Sequence, residues 1–164
     1  MEIRKTRLSD LDRVMEIYAD GRAIMRETGN EMQWGDVHPP RSLVEADIAE
    51  ERSYVCEKDG EIAAVFYLST DPDPTYAKIQ GAWCDNAPYG VVHRIARSKS
   101  PNAKGAGAYC LQWCYEKIGN IRIDTHEANV PMRKLLESLG YVYCGIIWIN
   151  IHGKPEERLA YHKT

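Results

Sequence analysis

The chain holds 164 residues, 44% of them apolar and 27% charged, with a formal net charge of -3. That length sustains a sizeable core in one domain, expected to run over residues 1–164, and that composition excludes a disordered chain. The near-balanced charge gives no support for broad nucleic-acid binding, and no run approaches the roughly 20 apolar residues that cross a bilayer.

The N-terminus is polar and then amphipathic, without the apolar centre of a secretion signal, so a cytoplasmic location is expected. Residues 2–7 alternate as a short strand. Ser9 is placed to cap a helix, in which Leu11, Val14, Met15, Ile17 and Tyr18 recur at helical spacing before a stop ahead of Gly29. Segment 30–41 carries Trp34, Gly35, Pro39 and Pro40 and reads as a loop. A second helix covers 42–51. Strands at 53–58 and 62–69 flank Asp59-Gly60, the strongest short hairpin signal. The pattern then predicts strands at 76–84 and 89–96, a helix from about 105 to 117, and a short strand at 121–125. A helix over 130–139 follows, with Asn129 as cap, Pro131 in its first turn and Gly140 as its stop. Strands at 141–148 and 158–162 close the chain. Hairpins in the middle and alternating helices and strands late argue for one mixed α/β layered fold.

Five cysteines, Cys56, Cys84, Cys110, Cys114 and Cys144, are widely spaced and read as reduced, mostly buried thiols. Cys110 and Cys114 share a helix face, but no His or Cys pair nearby completes a four-ligand set, so no metal is expected.

The run Lys104-Gly105-Ala106-Gly107-Ala108-Tyr109 follows a strand and opens a helix with almost no side chains. A helix start leaves backbone N–H groups without internal partners, and these favour phosphate. Lys104 adds positive charge, as Arg97 and Lys99 can. The run lacks the spacing of a P-loop or a dinucleotide fingerprint. From the residues alone, a ligand loop and a close-packed glycine turn stand side by side.

The segment resembles the acyl-CoA loop of the Gcn5-related N-acetyltransferase (GNAT) superfamily, and Asn129 to Tyr141, NVPMRKLLESLGY, resembles the helix that follows it there. The words HRIA at 93–96 and RIDTHEAN at 122–129 are similar to those of a bacterial subgroup. The resemblance implies an acyl-CoA N-acyltransferase fold: a mostly antiparallel twisted sheet, splayed between its fourth and fifth strands and flanked by about four helices. It implies acetyl-CoA as cosubstrate. The cofactor-binding residues it points to are the edge Ile95, Ala96 and Arg97, the loop Lys104, Gly105, Ala106, Gly107 and Ala108, and Asn129 and Arg133. The bland alternatives are a helix cap for Asn129 and a solvated helix face for Arg133. Three departures from the family pattern stand out. Lys104 replaces the first Arg or Gln and keeps the charge. Tyr109 is bulky where relatives keep a small residue. Leu136 stands where many carry a tyrosine that protonates the departing thiolate.

The implied activity is acetyl transfer to an amine of a small molecule, amino acid or peptide. The alternative is a CoA-responsive binding or regulatory module without transferase chemistry. His93 and His126 are the catalytic candidates, since imidazole titrates near working pH. By alternation His93 shares a face with Val91 and Ile95, opposite Arg94, and a hydrogen-bonded core histidine is its competing reading. Asp124 and His126 lie on one alternating polar face and are candidates to orient one another. Partners expected are the amine acceptor and a second copy of the chain as a homodimer, with neither nucleic acid nor membrane.

Overall fold

A computed structural model describes residues 1–164. In chain order the elements are β1 (Glu2–Lys5), α1 (Leu11–Glu27), α2 (Arg41–Ala49), β2 (Ser53–Lys58), β3 (Glu61–Ser69), β4 (Gln80–Gly81), β5 (Gly90–Arg97), α3 (Ala106–Ile118), β6 (Ile121–Thr125), α4 (Val130–Ser138), β7 (Val142–Ile151) and β8 (Lys154–Lys163). All strands join one sheet in the order β1-β2-β3-β5-β6-β8-β7-β4. Every neighbouring pair is antiparallel except β5 and β6, which run parallel and pair only at Gly90–Ile121 and Val91–Arg122. The sheet is therefore mostly antiparallel, splayed at its centre and flanked by helices, as the family resemblance implies.

Alternation along the strands sorts side chains to opposite faces. Val55, Val65 and Ala96 pack against Leu11, Val14, Ile17, Tyr18 and Val44 of α1 and α2. Cys56, Ala64 and Phe66, their neighbours in sequence, pack on the other face with Cys110, Leu111 and Cys114 of α3 and Leu136 of α4. Two such layers bury the apolar stripe of every long helix. The β2–β3 hairpin turns at Asp59 and Gly60, whose φ values of 52° and 78° fit the primed turn that Asp-Gly favours.

The strand expected at 76–84 shrinks to Gln80–Gly81, preceded by a 3-10 turn at Pro74–Tyr76. Pro74 instead opens that turn just ahead of the span, and the segment folds on itself: Asp73 Oδ1 accepts the amide of Thr75, and Trp83 Nε1 donates to the carbonyl of Tyr76. Nor does Ser9 cap α1. A 3-10 turn at Leu8–Asp10 precedes that helix, and Asp10 accepts the amide of Arg7 while paired with the Arg4 guanidinium at 2.8 Å. The last hairpin is longer than its apolar centre suggested, because both strands run past the core into polar residues.

Candidate active site at the forked sheet

Beyond Val91 the edge of β5 facing β6 has no strand partner. The opening continues as a groove of about 150 Å³ between α1, β5, α3 and the start of α4. Gly21, Ile24, Met25 and Thr28 form one wall; Ile95, Ala96 and Arg97 form the floor; Gly107, Asn129, Pro131, Met132 and Leu135 form the other wall. A Cβ at Gly21 would come within 3.0 Å of the Ala96 Cβ, so the glycine lets α1 settle onto the β5 edge. Ile95, Ala96, Arg97, Gly107 and Asn129, marked out from the sequence as cofactor contacts, are thus brought together in space.

At the end of this groove Gly105 holds φ +82°, which a side chain would resist, and caps α3. None of the amides of Gly105, Ala106, Gly107 or Ala108 enters a turn, loop or capping bond, whereas Lys104 donates to Pro101 and Tyr109 donates to Gly105. A Cβ at Gly105 would meet nothing within 4 Å, and one at Gly107 would meet only Leu135, 3.7 Å away. Free donors, open space and the positive end of a helix together suit a phosphate group. The amide of Lys104 is not among those donors; its contribution is the ammonium charge. Tyr109 turns away: its hydroxyl donates to the Met1 carbonyl at 2.7 Å, which leaves the loop uncovered.

At the fork the alternation of β5 breaks. Val65 pairs with Ala96 but Tyr67 pairs with His93, so β5 carries an extra residue, and Arg94 takes φ 46°. A non-glycine residue in that region costs roughly 1 kcal/mol or more and needs outside support. Two contacts supply it: Asp47 of α2 accepts two bonds from the Arg94 guanidinium, at 2.8 and 2.9 Å, and Tyr18 of α1 donates to the Arg94 carbonyl at 2.9 Å. Burial pushes the Asp47 carboxyl up, and Arg94 offsets only part of that. This bulge corrects the period-two assignment of His93 and Arg94, because an inserted residue resets the faces.

His93 stands at the mouth of the fork between two carboxylates. Its Nε2 lies 2.8 Å from Asp73 Oδ2, and its Nδ1 lies 3.8 Å from Asp124 Oδ2, which also accepts the Tyr76 hydroxyl at 2.6 Å. Burial raises the Asp73 carboxyl, but bonds from His93 and Thr75 outweigh it and hold the group at about 2. An ionised Asp73 can only accept, so Nε2 of His93 donates to it and Nδ1 is the ring nitrogen turned away from that bond.

His126 is set apart from this cluster. It lines a separate cleft with Glu127, Glu156, Glu157, Arg158 and Leu159, and its Nδ1 accepts the amide of Ala128 at 3.0 Å. Asp124 bonds to Tyr76 and faces the His93 side of the fork, not His126. Asn129 caps α4 through a bond from the Met132 amide at 3.2 Å and donates to Gln33 Oε1 at 2.9 Å. Arg133 donates to the Glu127 carbonyl at 3.0 Å and lies outside the groove lining. Leu136 is fully buried in the core beneath the groove, so no hydroxyl is available there. Sequence reasoning passed over Asp73, Tyr76, Asp47 and Gln33. The prolines around Asp73 signalled only a loop.

A sheet forked beside a bulged strand, with an open helix start beyond it, defines the N-acyltransferase fold. The chain belongs to the acetyltransferase (GNAT) family, whose model matches residues 13–141. An acetyltransferase of that family from Streptococcus agalactiae shares 33% identity, with a TM-score of 0.87 over 99% of this chain and 94% of its own. One from Bacillus cereus shares 18%, with a TM-score of 0.67 over 99% and 96%. The ribosomal-protein-S18-alanine N-acetyltransferase of Escherichia coli shares 15%, with a TM-score of 0.65 over 99% and 92%. A comparison with curated proteins gives no significant match. No helix is long and apolar enough to cross a membrane.

Proposed function

We propose that the protein transfers the acetyl group of acetyl-CoA to the primary amine of a small molecule, amino acid or peptide by direct attack. The reading rests on one observation: the groove floored by the unpaired β5 edge at Ile95 to Arg97 reaches Gly107 in the open start of α3, and His93 lies two residues before that edge on the same strand. HRIA and RIDTHEAN fit the bacterial subgroup reading, since they supply His93, the Arg94 bulge, Asp124 and Asn129.

Acetyl-CoA supplies an activated acyl group on a thiol of low enough pKa to leave unaided, so the buried Leu136 is compatible with turnover. The protein's own part begins with placement. The amides at 105–108 and Lys104 receive the diphosphate, and the peptide groups of Ile95 to Arg97 present an unpaired sheet edge to an extended amide chain. Asn129 reaches that chain when Gln33 yields its bond. Holding both reactants at the fork replaces a bimolecular encounter with an intramolecular one. His93 takes a proton from the amine at Nδ1, while Asp73 fixes the ring by accepting from Nε2 and stabilises the imidazolium that forms. Asp124, held by Tyr76, offers a second negative charge to a cationic amine as it enters.

The test is release of free CoA thiol by the purified protein on a panel of amines. Turnover that His93→Gln lowers by about 10²-fold or more, with acetyl-CoA affinity retained, supports the reading. No turnover above that of a variant with both Lys104 and Gly107 replaced, on any amine, would sink it.

A further inference from the structure

Away from the fork, Gly81 of β4 and Gly145 of β7 pair with φ values of +132° and +138°. A Cβ on either would stand 2.1 Å from a carbonyl oxygen of the partner strand. This close crossing presses the chain after β4 onto β7, where Ala82 donates its amide to the Cys144 carbonyl at 3.1 Å. One result is that the sulfurs of Cys84 and Cys144, 60 positions apart in sequence, lie 3.9 Å from each other. Cys84 is exposed and Cys144 is half-buried, while Cys56, Cys110 and Cys114 are buried.

His162 brings a third ligand-type atom to within 4.8 Å of both sulfurs, which raises a metal reading. The imidazole argues against it. Its Nδ1 already accepts the Cys84 amide at 3.1 Å, and its Nε2 meets Asn120 Oδ1 at 2.6 Å. Ligation would break a bond of a wholly buried ring. The guanidinium of Arg122, held over Trp83 and Tyr89 at 4.3 and 4.0 Å, adds positive charge to the same region. The thiols hold only weak bonds: the sulfur–sulfur contact at 3.9 Å and the one Cys144 donates to the Val142 carbonyl at 3.4 Å.

We propose that Cys84 and Cys144 form a peroxide-sensitive dithiol that closes into an intrachain disulfide. Cys84, the exposed member, reacts first as thiolate: its sulfur bonds to one peroxide oxygen, the O–O bond breaks, and hydroxide leaves to become water. Cys144 then loses its proton, its sulfur attacks Cys84 Sγ, and the S–O bond breaks with release of a second water. Two thiols are oxidised and one peroxide is reduced. The order follows from exposure, and burial together with the neighbouring Cys84 thiol, pushing Cys144 up to about 12, agrees with it. The bond ties β7 to the segment between β3 and β5, which carries Asp73 and Tyr76 to His93.

The experiment treats the full-length protein with hydrogen peroxide and follows intact mass, thiol count and peptide map. The expected result is a loss of two hydrogens in mass and a linked Cys84–Cys144 peptide, reversed by dithiothreitol and abolished in Cys84→Ser. In Cys144→Ser the reaction stops at a sulfenic acid on Cys84 that dimedone traps. Slower amide exchange over residues 70–89 in the oxidised form is expected as well. Stable gain of oxygen on Cys84 in the native chain, a link between other cysteines, or a dimer joined through Cys84 overturns the proposal. So does stoichiometric binding of zinc that Cys84→Ser abolishes, which would restore the metal reading.

Discussion

Tyr18 donates its hydroxyl to the carbonyl oxygen of Arg94 at 2.9 Å, tying the middle of α1 to the residue that bulges β5. A residue with φ 46° persists because this bond and the Asp47 pair hold it from opposite ends. Tyr18→Phe deletes one hold without changing shape. The expected outcome is a loss of about 1 kcal/mol in stability by denaturant unfolding and a fall in turnover on the order of tenfold, with the binding of acetyl-CoA less affected.

The loop at 105–108 is expected to fail by crowding rather than by unfolding. Gly107→Val places carbon where a Cβ meets only Leu135, in the path of a phosphate, at a position whose backbone is helical. Charge-assisted bonds of this kind contribute about 1.5–3 kcal/mol each, so affinity for acetyl-CoA should fall roughly 10–100-fold in titration calorimetry. The melting temperature should stay close to that of the parent. A large drop in melting temperature with affinity retained would mark the glycine as a packing residue.

Asp73 gives a pH signature. Its carboxyl is held at about 2 against an ordinary 3.8, so the folded chain keeps it ionised in acid that protonates it when unfolded. That contribution to stability is complete above pH 4 and is lost as pH falls toward 2. Removing the imidazole in His93→Ala deletes one of the bonds that oppose burial while Thr75 keeps its own, so the acid-unfolding midpoint should move to higher pH. An unmoved midpoint would separate Asp73 from His93.

Three histidines act in the opposite sense to a salt-bridged one. Burial lowers His38, His126 and His162 from 6.5, with Arg94, Arg158 and Arg122 respectively as the next cause. Below pH 6.5 the unfolded chain takes up protons at these rings before the folded one does, so stability falls as pH drops toward 5. Urea midpoints at pH 7.5 and 5.5 should differ in that direction, and His162→Gln should flatten the difference.

Local patterns that carry their own mechanism were readable before any fold was known. Asp59-Gly60 turns a hairpin because those residues accept positive φ. Asn129 caps α4 because its side chain reaches its own third amide. The stripped run at 104–108 announced an open helix start. What stayed hidden depends on partners distant in the chain. The bulge at Arg94 needs Asp47, 47 positions earlier, and a strand pattern contains no trace of that demand. The site roles of Asp73 and Tyr76 exist only because the fold lays a proline-rich loop against His93 and Asp124. The strand expected at 76–84 failed for the same reason: Tyr76 is apolar enough to look like a strand residue, yet it is buried by the site rather than by a ladder.

Because β5 and β6 share rungs only at their beginnings, the two halves of the sheet lean on each other through helices more than through hydrogen bonds. An extended amide lying along β5 would complete a row of pairings that the polypeptide leaves open. Under the proposed reaction the protein would borrow part of its stiffness from what it binds, tightening as reactants arrive and relaxing when the spent thiol departs.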